Sequence, residues 1–242
     1  MSQNIYAIGD IHGQREMLTD ALAQIENDGG RDARIVFLGD YVDRGPDSRG
    51  VIDILAQGLA EGRNWTCIKG NHDRLFEWFI EPPMPRNDPH LIIGYDWTHK
   101  NIGGRETMAS YGIEVPDRIR SGELAEQVRA VVPDEHLAFL RDLTLQQRIG
   151  DRLFVHAGIR PAVALEEQAE DDLLWIRDPF LEDTSDHGVL VVHGHTMVDA
   201  PDLRVNRLNL DTGAGKGKPL TIAVFDGPEI FRLGASGRGP LA

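Results

Sequence analysis

Five short β-type runs in this chain each stop at a cluster of Gly with Asp, Asn or His, and that repeated ending constrains the fold more than any other feature. The runs are Ile5 to Ile8, Arg34 to Leu38, Trp65 to Ile68, Leu153 to Val155 and Val189 to Val192. Between the first three lie stretches of helical spacing, Met17, Leu18, Ala21, Leu22 and Ile25 in one and Val51, Ile52, Leu55 and Leu59 in the next. Strand, helix, strand is the α/β pattern. Further on, Arg204 to Leu208, Leu220 to Phe225 and Ile230 to Leu233 follow one another with little room for helices, which favours antiparallel pairing. The expected fold class is therefore α/β with α+β character, a central mixed β-sandwich flanked by helices.

A chain of 242 residues suffices for one domain with a sizeable core, expected over residues 1–233. Residues 79–150 read differently, with Pro and polar residues from Glu81 to Pro89 and helical spacing from Glu123 to Leu145. They are expected to form a small, mostly helical insert that makes one wall of the site. The Gly- and Pro-containing segment 234–242 is expected to be a flexible tail.

Composition excludes some partners. A formal net charge of -14 argues against broad binding to a nucleic-acid backbone, which relies on clustered Lys and Arg. No apolar run is long enough to span a bilayer, and no membrane anchor or signal peptide is expected. Cys67 is the sole cysteine, so no intrachain disulfide forms and a cytoplasmic location is expected.

The polar clusters carry the chemistry. In Gly9-Asp10-Ile11-His12-Gly13, residues two apart on an extended chain point the same way, so Asp10 and His12 can reach one ion. The bland alternative is an Asp capping the next helix beside an incidental His. In Gly39-Asp40-Tyr41-Val42-Asp43-Arg44-Gly45, Asp40 can bridge two ions and the planar fork of Arg44 can hold a phosphate, against a simple turn with a surface ion pair. Gly70-Asn71-His72-Asp73 is alternatively a turn opening a helix from Arg74 to Phe79. His156-Ala157-Gly158 and His193-Gly194-His195-Thr196 complete the set. Singly, each has an ordinary structural explanation. Jointly, strand ends offering carboxylate, imidazole and amide groups and no thiolate predict a site for two divalent ions of the Mn, Fe, Zn or Co kind.

In this order the clusters read G-D-x-H-G, G-D-x-x-D-R-G, G-N-H-D/E, H-A-G and G-H-T, and the chain resembles the metallophosphoesterases, specifically the bacterial phosphoprotein phosphatase branch. Leu173 to Asp178 is similar to that branch's substrate-facing L-W-x-R/D stretch, and Leu210-Asp211-Thr212-Gly213 to its late D-T-G turn. The resemblance implies a calcineurin-like fold and two metal ions, manganese being expected and iron, zinc, cobalt or nickel the alternatives. It implies one ion held by Asp10, His12 and Asp40 and another by Asp40, Asn71, His156 and His195. It further implies attack by a hydroxide bridging the ions, a phosphate clamp of Arg44 and Arg177 helped by Asn71, and His72, oriented by Asp43, as general acid.

Two positions depart from the eukaryotic pattern. His193 stands where another residue is usual and is expected to support the ligands rather than be one. Asp73 replaces the usual Glu, a feature shared with symmetrical diadenosine tetraphosphate hydrolases, but those relatives usually lack the acid corresponding to Asp43. The expected function is thus a hydrolase of phosphoserine, phosphothreonine or phosphotyrosine in proteins. Dinucleoside polyphosphates or another small phosphoester are the alternative, and a non-catalytic metal-binding scaffold is the third reading. Arg74 and Arg105 are expected to be solvated surface residues.

Overall fold

Alternate side chains of β1 (Ile5–Ile8) enter two different cores, and this makes the fold a sandwich. Ile5 and Ala7 face a second sheet, whereas Tyr6 and Ile8 face a layer of helices. The computed structural model describes residues 4–116 and 118–241. After β1 come α1 (Arg15–Gly29), β2 (Arg34–Phe37), α2 (Ser48–Ala60), β3 (Trp65–Cys67) and α3 (Asn71–Ile80). Next are α4 (Gly104–Ser110), α5 (Ser121–Val131), α6 (Asp134–Asp142), β4 (Gln146–Ile149), β5 (Arg152–Val155), α7 (Glu170–Trp175) and β6 (Leu190–His193). The last elements are β7 (Asp202–Leu203), β8 (Arg207–Asn209), β9 (Ile222–Asp226), β10 (Glu229–Gly234) and β11 (Gly237–Gly239).

One sheet has the order β11-β10-β9-β1-β2-β3 and the other β4-β5-β6-β8-β7. Within the first, β1, β2 and β3 run parallel and β9 pairs antiparallel to β1. Within the second, β5, β6 and β8 are parallel. Val36, Leu38, Phe154, Val192, Leu208 and Phe225 fill the space between the sheets. On the helix side, Leu18 and Ile25 of α1, Val51 and Leu55 of α2 and Phe76 of α3 cover Ile35 and Phe37. Each such side chain contributes about 1.5–3 kcal/mol by leaving water. Leu173 and Phe180 cover the outer face of the second sheet at Leu153, Val155 and Val191.

Several expectations shift. The helical stretch Glu123 to Leu145 is two helices, because Pro133 has no N–H to continue α5 and instead stands before the first residue of α6. The range 79–150 also contains β4, which pairs antiparallel with β5 and so belongs to the second sheet. The segment expected to be a flexible tail forms β11 against β10, turning through Gly237 at φ 93°. Its Leu241 is buried in the core between the sheets. The closely spaced C-terminal strands are antiparallel in β9–β10–β11, but β8 pairs parallel with β6. Finally, α3 begins at Asn71 rather than at Arg74, so Asn71 and His72 occupy its first turn.

Because the central strands of each sheet run parallel, their C-terminal ends gather at one edge, where ligands bind in α/β sheets. Among the described residues, no helix is long and apolar enough to cross a membrane.

Candidate metal centre and substrate cleft

The two sheets meet at that edge through His156. Its Nδ1–H, at the end of β5, donates to Leu38 O at the end of β2 (2.8 Å), and Gly194 N after β6 donates to His156 O (2.8 Å). His12 is fixed likewise, its Nδ1–H donating to Val42 O at 2.8 Å. A carbonyl only accepts, so in both rings Nδ1 carries the proton and Nε2 presents a lone pair to the site.

Asp40 lies at the centre. Its Oδ2 is 3.4 Å from His12 Nε2 and its Oδ1 is 3.4 Å from His156 Nε2, while His72 N donates to Oδ1 at 3.0 Å. Asn71 Oδ1 is 2.9 Å from both His156 Nε2 and His195 Nδ1. Asp10 accepts from His195 N at 3.1 and 3.2 Å. All six of Asp10, His12, Asp40, Asn71, His156 and His195 are brought together. Their ligand-type atoms form two groups sharing Asp40, one with His12 and His72 and one with Asp10 and His156. The first group thus contains His72 with the expected His12 and Asp40, while Asp10, expected there, groups instead with Asp40 and His156.

The donor set fits divalent cations. His156 Nε2 and Asn71 Oδ1 face each other as acceptors at 2.9 Å, an approach that a cation between lone pairs relieves. Three buried carboxyls, Asp10, Asp40 and Asp211, interact with one another; burial and the charges of Asp211 and Asp40 push Asp10 well above the carboxylate range. Burial also opposes ionisation of Asp40, but His156, His72, His12 and Arg44 outweigh it and hold its carboxyl far below the usual range. Burial and Arg44 keep His12 neutral, and burial with His156 and Arg177 does the same for His195. Neutral imidazole and carboxylate oxygen suit transition-type ions.

Backbone shape follows this demand. His12, Asp40, Asp43, Arg44 and His195 have φ of 48°, 52°, 72°, 67° and 64°, in the left-handed region that costs L-residues energy and clusters at functional sites. Gly70 is required because a Cβ there would lie 2.2 Å from Asp40 Oδ1. Asp73 locks the second cluster to the third, accepting from Asp40 N, Tyr41 N and Gly70 N at 2.8–2.9 Å. Burial and the Asp40 charge push its carboxyl up to about 8, against the pull of those three N–H groups.

His72 Nδ1 lies 2.6 Å from Asp43 Oδ2. Asp43 in turn accepts from Trp97 Nε1 and from Thr107 Oγ1, both buried. Arg44 donates to His12 Nε2 at 2.6 Å and to His72 Nε2 at 2.9 Å. Arg44, Asn71, His72 and Arg177 line a cavity of about 280 Å³ that His90 and Tyr95 also line. His193 is fully buried behind the ligands, edge-on to Phe180, and burial lowers its ring to about 3.

Arg74 is the clearest correction. It is 1 % exposed, its guanidinium donating to Asp88 at 2.7 and 3.0 Å and to Asp171 at 2.7 Å, which ties α3 to the segment before His90 and to α7. The acids lie 14 and 97 residues away, so no local pattern pairs them. Arg105 is exposed, donating to Thr98 O. Trp97 and Thr107 reach the site without a local signal, since a Trp after a turn and a helical Thr carry no mark of contact with Asp43.

Residues 3–213 match the calcineurin-like phosphoesterase family. The chain belongs to it. It is a family of metal-dependent phosphoester hydrolases, and the chain is similar to serine/threonine-protein phosphatase 1 of Salmonella typhimurium, 35% identical over 91% of this chain and 91% of that one. The symmetrical bis(5'-nucleosyl)-tetraphosphatase of Bordetella pertussis is 41% identical, but over 66% of this chain and only 45% of its own length. The asymmetrical bis(5'-nucleosyl)-tetraphosphatase PrpE of Anoxybacillus flavithermus is 28% identical over 88% of this chain and 87% of its own. Among solved structures, that of a putative diadenosine tetraphosphatase superposes with TM-score 0.66 at 21% identity, covering 96% of this chain and 93% of that one. The fold is therefore that of the calcineurin-like metallophosphoesterases.

Proposed function

We propose that this metallophosphoesterase is a two-metal phosphomonoesterase acting on phosphoserine, phosphothreonine or phosphotyrosine in proteins. The observation that carries the reading is the 2.6 Å contact between His72 Nδ1 and Asp43. An alkoxide leaving group needs a proton in the transition state, and a carboxylate that fixes the imidazole supplies the oriented donor. With Asp43 on Nδ1, His72 Nε2 faces the cleft, where it accepts from Arg44; it becomes the proton-delivering atom when the ring is protonated and Arg44 turns to the phosphate. This assigns Arg44 a place beside it, its fork turning from His12 and His72 to the phosphate's equatorial oxygens, with Arg177 lining the same cavity and Asn71 assisting.

One ion would be held by Asp10, His12 and Asp40 and the other by Asp40, Asn71, His156 and His195, with manganese the proposed occupant of both. Bound there, the ions supply charge neutralisation and lower the pKa of water to make a nucleophile. The presence of Asp43 and Arg44, which stand in neither ligand grouping, disfavours a non-catalytic scaffold. The single cysteine, Cys67, is buried, which suits the cytoplasm.

A second reading, hydrolysis of dinucleoside polyphosphates, draws on Asp73 and on the names of the Bordetella and Anoxybacillus relatives. The discriminating assay compares kcat/KM for phosphopeptides and diadenosine tetraphosphate at matched free Mn²⁺. Faster peptide hydrolysis is expected; a clear preference for the dinucleotide transfers the assignment to the second reading.

A further inference from the structure

The cleft forks. Arg44, Asn101, Arg177 and His195 line both the cavity beside His72 and a second one of about 240 Å³, which His72 does not reach. The second arm is lined instead by His12, Asp211 and the turn carrying Gly213, Gly215 and Lys216. That turn is tied by Lys216 N to Gly213 O (2.9 Å) and is flanked by Gly213 and Gly217 at φ 91° and 77°. It lies directly on the His12 ring, since a Cβ on Gly215 would be 2.6 Å from His12 Cδ2. The turn thereby places Lys216, whose side chain is exposed, on the rim of this arm. Its ammonium has no hydrogen bond or ion pair among the described residues, whereas Lys218 on the same turn is paired with Asp199 at 2.8 Å.

A phosphomonoester carries one substituent on phosphorus, its leaving group. If His72 protonates that group, as proposed above, the leaving oxygen faces the first arm, and a simple phosphomonoester with no further charge makes no use of the second. Yet the second arm gathers three cationic side chains, Arg44, Arg177 and Lys216, against the single acid Asp211. Asp211 is 5 % exposed and accepts from Gly213 N at 3.0 Å, so its charge is turned partly toward the backbone. An arm with that balance, and a cation without a partner, is suited to an oxyanion.

We propose that Lys216, with Arg177, forms a subsite for a second anionic group of the substrate, held next to the scissile phosphate on the side away from His72. The inference rests on the reading of His72 as the acid of the leaving-group side. The anion is either the next phosphate of a polyphosphate chain or the carboxylate of an acidic residue flanking a phosphorylated one. Both present the same charged oxygens to Lys216.

The test uses inorganic pyrophosphate and orthophosphate as inhibitors of p-nitrophenyl phosphate hydrolysis, at equal free Mn²⁺, in the wild type, Lys216→Gln and Lys218→Gln. Loss of one charge-assisted contact is expected to weaken pyrophosphate about tenfold and orthophosphate less than about twofold in Lys216→Gln, and to leave that ratio unmoved in Lys218→Gln. Equal weakening of the two anions, or none, overturns the subsite. Adenosine tetraphosphate and an Asp-flanked phosphopeptide then separate the sources: a Lys216→Gln loss of kcat/KM on either supports the subsite and names its occupant, and a loss on neither contradicts it. Calorimetric binding of pyrophosphate to the manganese-loaded protein reads the subsite without turnover. A chain that binds pyrophosphate through Lys216 but hydrolyses no phosphoester would refute the proposed function and not the subsite.

Discussion

Trp97 donates its indole N–H to Asp43, with Nε1 3.0 Å from each carboxylate oxygen, so the segment between α3 and α4 sets the orientation of the proposed general acid. Trp97 is itself held face-on to Phe76 at 5.0 Å and beside Phe79 at 4.8 Å, both on the helix that carries His72. Replacing Trp97 with Phe keeps most of the packing and removes the donor. The expected result is a fall in kcat of about tenfold on an alkyl phosphate, following the strength of one hydrogen bond to a charged group. Steady-state kinetics should show KM nearly constant; a pure KM effect would place Trp97 in substrate binding instead.

His72→Asn removes the proton donor while leaving Asp10, His12, Asp40, Asn71, His156 and His195 in place. Turnover of an alkyl phosphate should fall about 10²–10⁴-fold, and that of an aryl phosphate, whose leaving group departs unaided, much less. Metal content, measured by elemental analysis, should hold. Equal losses on both substrates, or loss of metal, would move His72 out of the acid role, the latter toward the ligand grouping it shares with His12 and Asp40.

Arg74→Met leaves the fully buried Asp88 carboxylate without its guanidinium partner. Breaking a buried pair in this way costs about 3–5 kcal/mol, readable by urea unfolding at pH 7. The pH dependence has a definite sign. Although burial opposes it, contacts from His90 and Arg74 hold the Asp88 pKa below its usual value. A depressed carboxyl stabilises the fold above its unfolded pKa, near about 4, and that contribution is lost as pH falls through the folded value. Wild type and variant should therefore converge in stability below that range; a constant gap down to the acid transition would show that Asp88 is not the group involved.

The strands and their polar endings were legible because short apolar runs and Gly-Asp or Gly-His terminations are local signals: Ile5 to Ile8 and the residues of the two ligand sets sit within a few positions of their strand ends. The partners of those residues were not legible. Trp97 and Thr107 reach Asp43 across 54 and 64 residues, and Arg74 meets Asp171 across 97, contacts that only tertiary packing creates. The segment after Leu233 misled for a related reason. Gly237 and Gly239 suggest freedom when read alone, but the neighbouring β10 offers an edge that pairs with them.

Asp40 stands in both ligand groupings, so Asp40→Asn should disturb two sites together. Loss of one bridging charge is expected to reduce bound metal from two ions per chain to one or fewer and to lower kcat by at least about 10²-fold. His12→Asn, by contrast, should affect one ion more than the other in a competitive titration with Mn²⁺.

The most direct measurement is elemental analysis of the purified chain combined with an activity titration of the chelated protein with Mn²⁺. The account predicts an inactive apoprotein, recovery with Mn²⁺ and saturation at two ions per chain, because the proposed nucleophile is a water activated by bound metal. Full phosphoesterase activity in excess chelator, with no metal retained, would contradict it.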